Sequence, residues 1–95
     1  MAKAYWIAHV TVTDPDQYKH YASDAPVAFK KFGATFLARG GTSEQMEGKG
    51  RPRNVVVEFP SLQAARDCYN SAEYQAARAK RLNAGEADIV IIEGV

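Results

Sequence analysis

Cysteine is all but missing from this chain: Cys68 stands alone among 95 residues. No disulfide can form within the chain, so stability must come from the core, and a reducing compartment is acceptable. Neither sign of charge dominates, since twelve basic residues face eleven acidic ones. Scattered charges with a net of +1 supply no field for nucleic acid or an anionic membrane. Long apolar runs are absent too, and Met1-Ala2-Lys3 leads straight into a strand-like stretch. Neither a membrane span nor a signal peptide is expected, which makes the cytoplasm the default location. Two histidines on different elements, without paired cysteines, form no metal signature. The basic stretch Gly48-Lys49-Gly50-Arg51-Pro52-Arg53 lacks the Ser or Thr of a phosphate loop and reads as a solvated hairpin tip. Neither a metal nor a cofactor is expected.

What is present suits a globular fold. Hydrophobic residues at 46% and charged residues at 24% are ordinary for a packed domain and far from a disordered composition. A chain of this length supports one core, so a single domain over residues 1–95 is expected.

The local signals fall in a definite order. Tyr5 to Val12 is rich in aromatic and β-branched residues and reads as the first strand. Asp14-Pro15-Asp16-Gln17 then offers an N-cap, a proline for the first helical position and a capping-box glutamine. Tyr18, Tyr21, Ala22, Ala25, Phe29 and Phe32 recur at helical spacing up to Gly33. Pro26 predicts a kink, or a restart capped by Asp24. Thr35 to Arg39 reads as the second strand. A bulge at Gly40-Gly41 and a continuation over Thr42 to Glu47 are expected, ahead of a turn at Gly48-Lys49-Gly50. Asn54 to Phe59 is the third strand. Ser61 caps a helix through Leu62, Ala65, Cys68 and Tyr69, and Ser71 caps a second short one to about Leu82. Asp88 to Glu93 is the last strand.

This order predicts an α+β, ferredoxin-like βαββαβ fold, with a four-stranded sheet and the helices on one face. Strand alternation then sorts side chains by face. The more apolar set is assigned to the helices: Trp6, Ala8, Val10, Val12, Phe36, Ala38, Val55, Val57, Phe59, Val90 and Ile92. The opposite set holds Tyr5, Ile7, His9, Thr11, Thr35, Leu37, Arg39, Asn54, Val56, Glu58, Ile89, Ile91 and Glu93. Its apolar members amount to roughly several hundred Å², the extent of an interaction surface. The simplest cover is the same face of a second copy, giving a homodimer.

The residues Tyr5-Trp6-Ile7-Ala8, Thr13-Asp14-Pro15, Tyr18, Tyr21, Phe36-Leu37-Ala38-Arg39-Gly40-Gly41, Glu58-Phe59-Pro60-Ser61, Ser71 with Glu73-Tyr74-Gln75, and Glu93-Gly94 span nearly the whole chain. With them the chain resembles the domain-of-unknown-function 1330 family, within the dimeric α-β barrel superfamily that also holds the antibiotic-biosynthesis monooxygenases. The resemblance implies a dimeric α-β barrel with no settled activity. Trp6 invites comparison with haem-degrading relatives, but parity turns it beneath the helices.

On the face to be covered, alternation gathers His9, Arg39, Glu58 and Glu93. With the first and third strands taken as parallel neighbours, His9 and Glu58 fall at one end and Arg39 at the other. A histidine beside a carboxylate suits a general base, and an arginine suits a carboxylate or enolate oxygen. His9 and Arg39 are therefore the candidate catalytic pair, with Tyr5, Glu58 and Glu93 as ligand contacts for a small acidic or enolisable molecule. The alternative is a non-catalytic module in which these residues hydrogen-bond across the dimer. Tyr18, Tyr21, Tyr69 and Tyr74 read as amphipathic packing residues, His20 as solvent-facing, and Cys68 as an inert buried thiol. RNA binding is not expected, because the third strand offers Asn54, Val56 and Glu58 rather than stacking aromatics.

Overall fold

The computed structural model describes residues 2–95. The elements are β1 (Ala4–Val12), α1 (Pro15–Lys31), β2 (Thr35–Arg39), β3 (Arg53–Phe59), α2 (Leu62–Asn70), α3 (Ala72–Arg81) and β4 (Gly85–Glu93). The strands form one sheet in the order β2-β3-β1-β4, and every neighbouring pair is antiparallel. This is the ferredoxin-like α+β fold. No helix among the described residues is long and apolar enough to cross a membrane.

Side-chain caps set the helix limits. Asp14 accepts from the Gln17 amide at 3.1 Å. The Gln17 side chain does not close a capping box but donates to the Lys80 carbonyl at 3.3 Å, tying α1 to α3. Ser71 works twice, donating to the Cys68 carbonyl at 2.6 Å and accepting from the Tyr74 amide at 3.1 Å. One residue thus closes α2 and opens α3. Gly33, at φ +77°, takes the left-handed conformation that ends α1 at little steric cost. Pro26 does not split α1, which runs unbroken. Ala25, Ala28 and Phe29 are buried around it and hold the turn in place, while Asp24 forms an ion pair with Lys80 instead of capping a restart.

Trp6 is the centre of the core. It lies 5.0 Å from the Phe29 ring, 6.0 Å from Phe59 and 4.9 Å from Tyr74, measured between centroids. Ala4, Ala8 and Val10 continue its side of β1 under the helices. Of the three helices, α2 comes closest to the sheet, beside the aromatic cluster.

Three expectations are corrected. First, β1 and β3 are neighbours but antiparallel, because β3 follows β2 as an antiparallel hairpin and inserts between β2 and β1, which α1 leaves running in the same direction. Tyr5 is paired with Glu58 and His9 with Asn54, so His9 and Glu58 sit toward opposite ends of the face. Second, the irregularity in β2 falls between Phe36 and Ala38 rather than at Gly40-Gly41. The extra residue inverts the alternation beyond it. Ala38 now opposes Val56, and Arg39 opposes Val55 on the helix side. Residues 40–52 carry no regular structure, so Thr42 to Glu47 is not strand.

Third, β4 lies in the other phase. Ala87, Ile89 and Ile91 pack against the core, whereas Val90 and Ile92 are 52% and 54% exposed. Both phases of this strand are apolar, so its own sequence did not favour the right one. Pairing with β1 decides it: Trp6 lies opposite Ile91, and Tyr5 opposite Ile92. Glu93 pairs with Ala4 and leaves the open face with Ile91.

Candidate functional site

The open face of the sheet keeps three of the five predicted site residues: Tyr5, His9 and Glu58. Two of them have side-chain partners within the chain, His9 with Asn54 and Glu58 with Lys3. The Asn54 amide nitrogen donates to the Ser43 hydroxyl and the Arg51 carbonyl at 3.0 and 3.3 Å. Its oxygen therefore faces His9 Nδ1, 2.6 Å away, and Nδ1 carries the proton. Glu58 pairs with Lys3 at 3.4 Å. Arg51 crosses the end of the face, bonding Asp88 at 2.9 Å and both Glu86 and Thr11 at 3.0 Å. Ile7, Val56, Val90 and Ile92 lie among these groups, with Leu37 at the bulge. Arg39 and Glu93 belong to the other side of the sheet, and the basic side chains beside His9 are Lys49 and Arg51.

The helix side holds a more pointed arrangement. Between α1 and the sheet lies a cavity of about 230 Å³. Its walls are Ala8, Val10, Phe29, Val55 and Ile89 with the α1 residues Ala22, Ala25 and Pro26. Tyr18 and Tyr21 line it from α1, and three arginines converge on it: Arg39 from β2, Arg53 from β3 and Arg81 from α3. No carboxylate is among the lining residues.

Each guanidinium rests on an aromatic ring. Arg39 Cζ is 4.4 Å from the Phe36 centroid, Arg53 Cζ 5.6 Å from Tyr18, and Arg81 Cζ 5.2 Å from Tyr21. Ring faces attract the cation but leave its N–H fork unused. None of the three forms a salt bridge among the described residues, whose ion pairs use Lys3, Lys19, Lys31, Arg51 and Lys80. Arg81 is 6% exposed, and the Nε atoms of Arg53 and Arg81 are buried without a hydrogen-bond partner. Gly40, at φ +68°, gives the Arg53 guanidinium room where a Cβ would collide with it.

Tyr21 completes the wall. Its hydroxyl lies 2.9 Å from that of Tyr74. Burial, then the neighbouring Tyr74, pushes the Tyr21 hydroxyl well above the ordinary phenol range, and burial raises Tyr74 as well. Both stay protonated at neutral pH and act as hydrogen-bond donors, not bases. No cluster of three or more metal-ligating side chains occurs among the described residues.

Sequence reasoning missed Arg53, Arg81 and the role of Tyr21, although two of these left a trace. Arg81 continues the buried stripe Tyr74, Ala77, Arg81 of α3, and Arg53 shares the phase of Val55, Val57 and Phe59 in β3. A cation where the pattern calls for an apolar side chain was the available signal.

The family described as Domain of unknown function (DUF1330) matches residues 3–95. No curated protein matches the chain in sequence. Among solved structures, the chain is similar to a protein of unknown function from Rhodopseudomonas palustris at 16% identity and TM-score 0.73, over 99% of this chain and 83% of that one. It is similar to SnoaB, a cofactor-independent oxygenase from Streptomyces nogalater, at 8% identity and TM-score 0.71, over 100% and 95% of the two chains. A dimeric protein of unknown function with a ferredoxin-like fold from Bacteroides fragilis aligns at 13% identity and TM-score 0.65, over 97% and 96%. At these identities the likeness concerns the fold.

Proposed function

Since the chain belongs to the DUF1330 family, whose function is unknown, we propose from the site itself that it binds a small organic anion with an apolar body in the cavity beneath α1. The observation that carries this reading is Arg81, a buried guanidinium with no acid beside it and an unpartnered Nε. Burying a cation without a counter-charge is costly, and an anionic ligand flanked by Arg39 and Arg53 relieves that cost. The aromatic and aliphatic walls suit an apolar body.

Cofactor-free catalysis on an enolisable substrate is a second reading, favoured by the likeness to SnoaB, a cofactor-independent oxygenase. The cavity offers neither imidazole nor carboxylate as a base. Its contribution to such a reaction is to hold the substrate as its enolate through the arginine donors. His9 lies on the opposite face of the sheet, outside this cavity.

The open face fits a second copy of the chain. Leu37, Val90 and Ile92 are each more than half exposed beside Ile7 and Val56, and a similar fold is dimeric in Bacteroides fragilis. Tyr5, His9 and Glu58 then belong to the interface of a homodimer.

Thermal melts against small carboxylates and phenolates, each beside a neutral isostere, test the ligand. Anions that raise the midpoint in wild type but not in Arg81→Met support the site. Equal effects of anion and isostere, or an unchanged shift in Arg81→Met, refute it.

A further inference from the structure

We infer that Tyr21 turns its hydroxyl proton into the cavity and forms, with Arg81, a two-donor pocket for one anionic oxygen, so that phenolates, enolates and carboxylates are the anions selected. This rests on the cavity being the ligand site. Each tyrosine hydroxyl has one proton to donate and lone pairs with which to accept. Tyr74 is wholly buried and does not line the cavity. Its hydroxyl has one side-chain partner among the described residues, the Tyr21 oxygen. If Tyr21 donated to Tyr74, the Tyr74 proton would be buried without an acceptor, an arrangement folded proteins avoid. Tyr74 is therefore the donor and Tyr21 the acceptor.

The Tyr21 proton is then free on the cavity side, and accepting from Tyr74 strengthens it as a donor. Arg81 lines the same cavity and packs against the Tyr21 ring, so both donors belong to one corner. Burial keeps both hydroxyls protonated well above neutral pH. A cavity of roughly 150 Å³ accepts benzene, so one of about 230 Å³ accommodates a single substituted ring bearing the anionic oxygen.

The probe is 4-nitrophenolate, titrated by absorbance at a pH where it is ionised, with nitrobenzene as the neutral control. The expected result is binding to wild type that weakens roughly 10- to 100-fold in Tyr21→Phe, the loss of one hydrogen bond to a charged oxygen. Tyr74→Phe should bind equally or more weakly. Wild-type affinity in Tyr21→Phe overturns the inference. So does tighter binding in Tyr74→Phe, because it would mean that Tyr21 had been donating to Tyr74 and was released. If Tyr21→Phe fails to fold by circular dichroism, wild type alone decides with 4-nitrothiophenolate, whose sulfur is a poor acceptor. A preference of about 10-fold or more for the oxygen anion supports the pocket, and equal affinity overturns it. Phenolate binding abolished by Arg81→Met but untouched by Tyr21→Phe removes only the role of Tyr21. No phenolate binding by wild type removes the cavity reading itself.

Discussion

Arg81 and Tyr21 face each other across the end of the cavity, guanidinium carbon 5.2 Å from the ring centroid, with α3 supplying one and α1 the other. The contact joins the two helices and turns a packing position into a charged one. Lys80, the residue before, reaches Asp24 of the same helix α1. Adjacent cations of α3 thus differ: Lys80 has an acid partner, whereas Arg81 lines a cavity without one.

Arg81→Met is therefore expected to leave the ligand-free protein as stable as wild type, or more stable by about 1 kcal/mol, because a buried unpaired charge is exchanged for apolar volume. Urea denaturation without added anions measures this. A loss of several kcal/mol would mean that the guanidinium is already compensated.

The phase of β4 makes opposite predictions for adjacent residues. Ile91→Lys places a charge beneath α2 and α3 and should abolish cooperative unfolding. Ile92→Lys, on the open face, should leave the fold intact by circular dichroism and shift the protein to monomer in light scattering. A folded Ile91→Lys beside an unfolded Ile92→Lys would show the strand to be in the opposite phase.

Alkaline pH should weaken the fold. Burial pushes the Cys68 thiol up to about 12, while the unfolded thiol titrates near roughly 8.5. Because the unfolded chain releases this proton first, stability is full below that pH and is lost as pH rises toward the folded value. Tyr21 and Tyr74, also raised, act in the same direction. Urea midpoints between about pH 8 and 11 should fall more steeply for wild type than for Cys68→Ala, and the native thiol should resist alkylation near neutrality.

Ser71→Ala removes both the donor that closes α2 and the acceptor that opens α3. The expected loss is about 1–2 kcal/mol, with Ser71→Gly less affected. Chemical denaturation distinguishes this from a loss within the scatter of ordinary surface substitutions.

Much of this was legible in the residues themselves. Asp14, Ser61 and Ser71 announced their helices because an N-cap acts within three residues, and each accepts from the amide three positions on. The stripe through Tyr18, Ala25 and Phe29 and the alternation of β1 sufficed for the fold class. Arg39 was misplaced because one extra residue in β2 inverts every side chain after it, and nothing local marks Leu37 as that residue. Glu93 was misplaced because Val90 and Ile92 are as apolar as Ile89 and Ile91.

The chain by itself determined where most helices and strands begin, which side of β1 is buried, and that strands and helices in this order make a ferredoxin-like sheet, since caps and periodicity act over a few neighbouring residues. Only the tertiary structure decided which phase of β4 meets the core, that β2 bulges, and that Arg39, Arg53 and Arg81 converge on one cavity without an acid. Those outcomes depend on pairing partners distant in sequence, where a single residue's shift carries a side chain from one face of the sheet to the other.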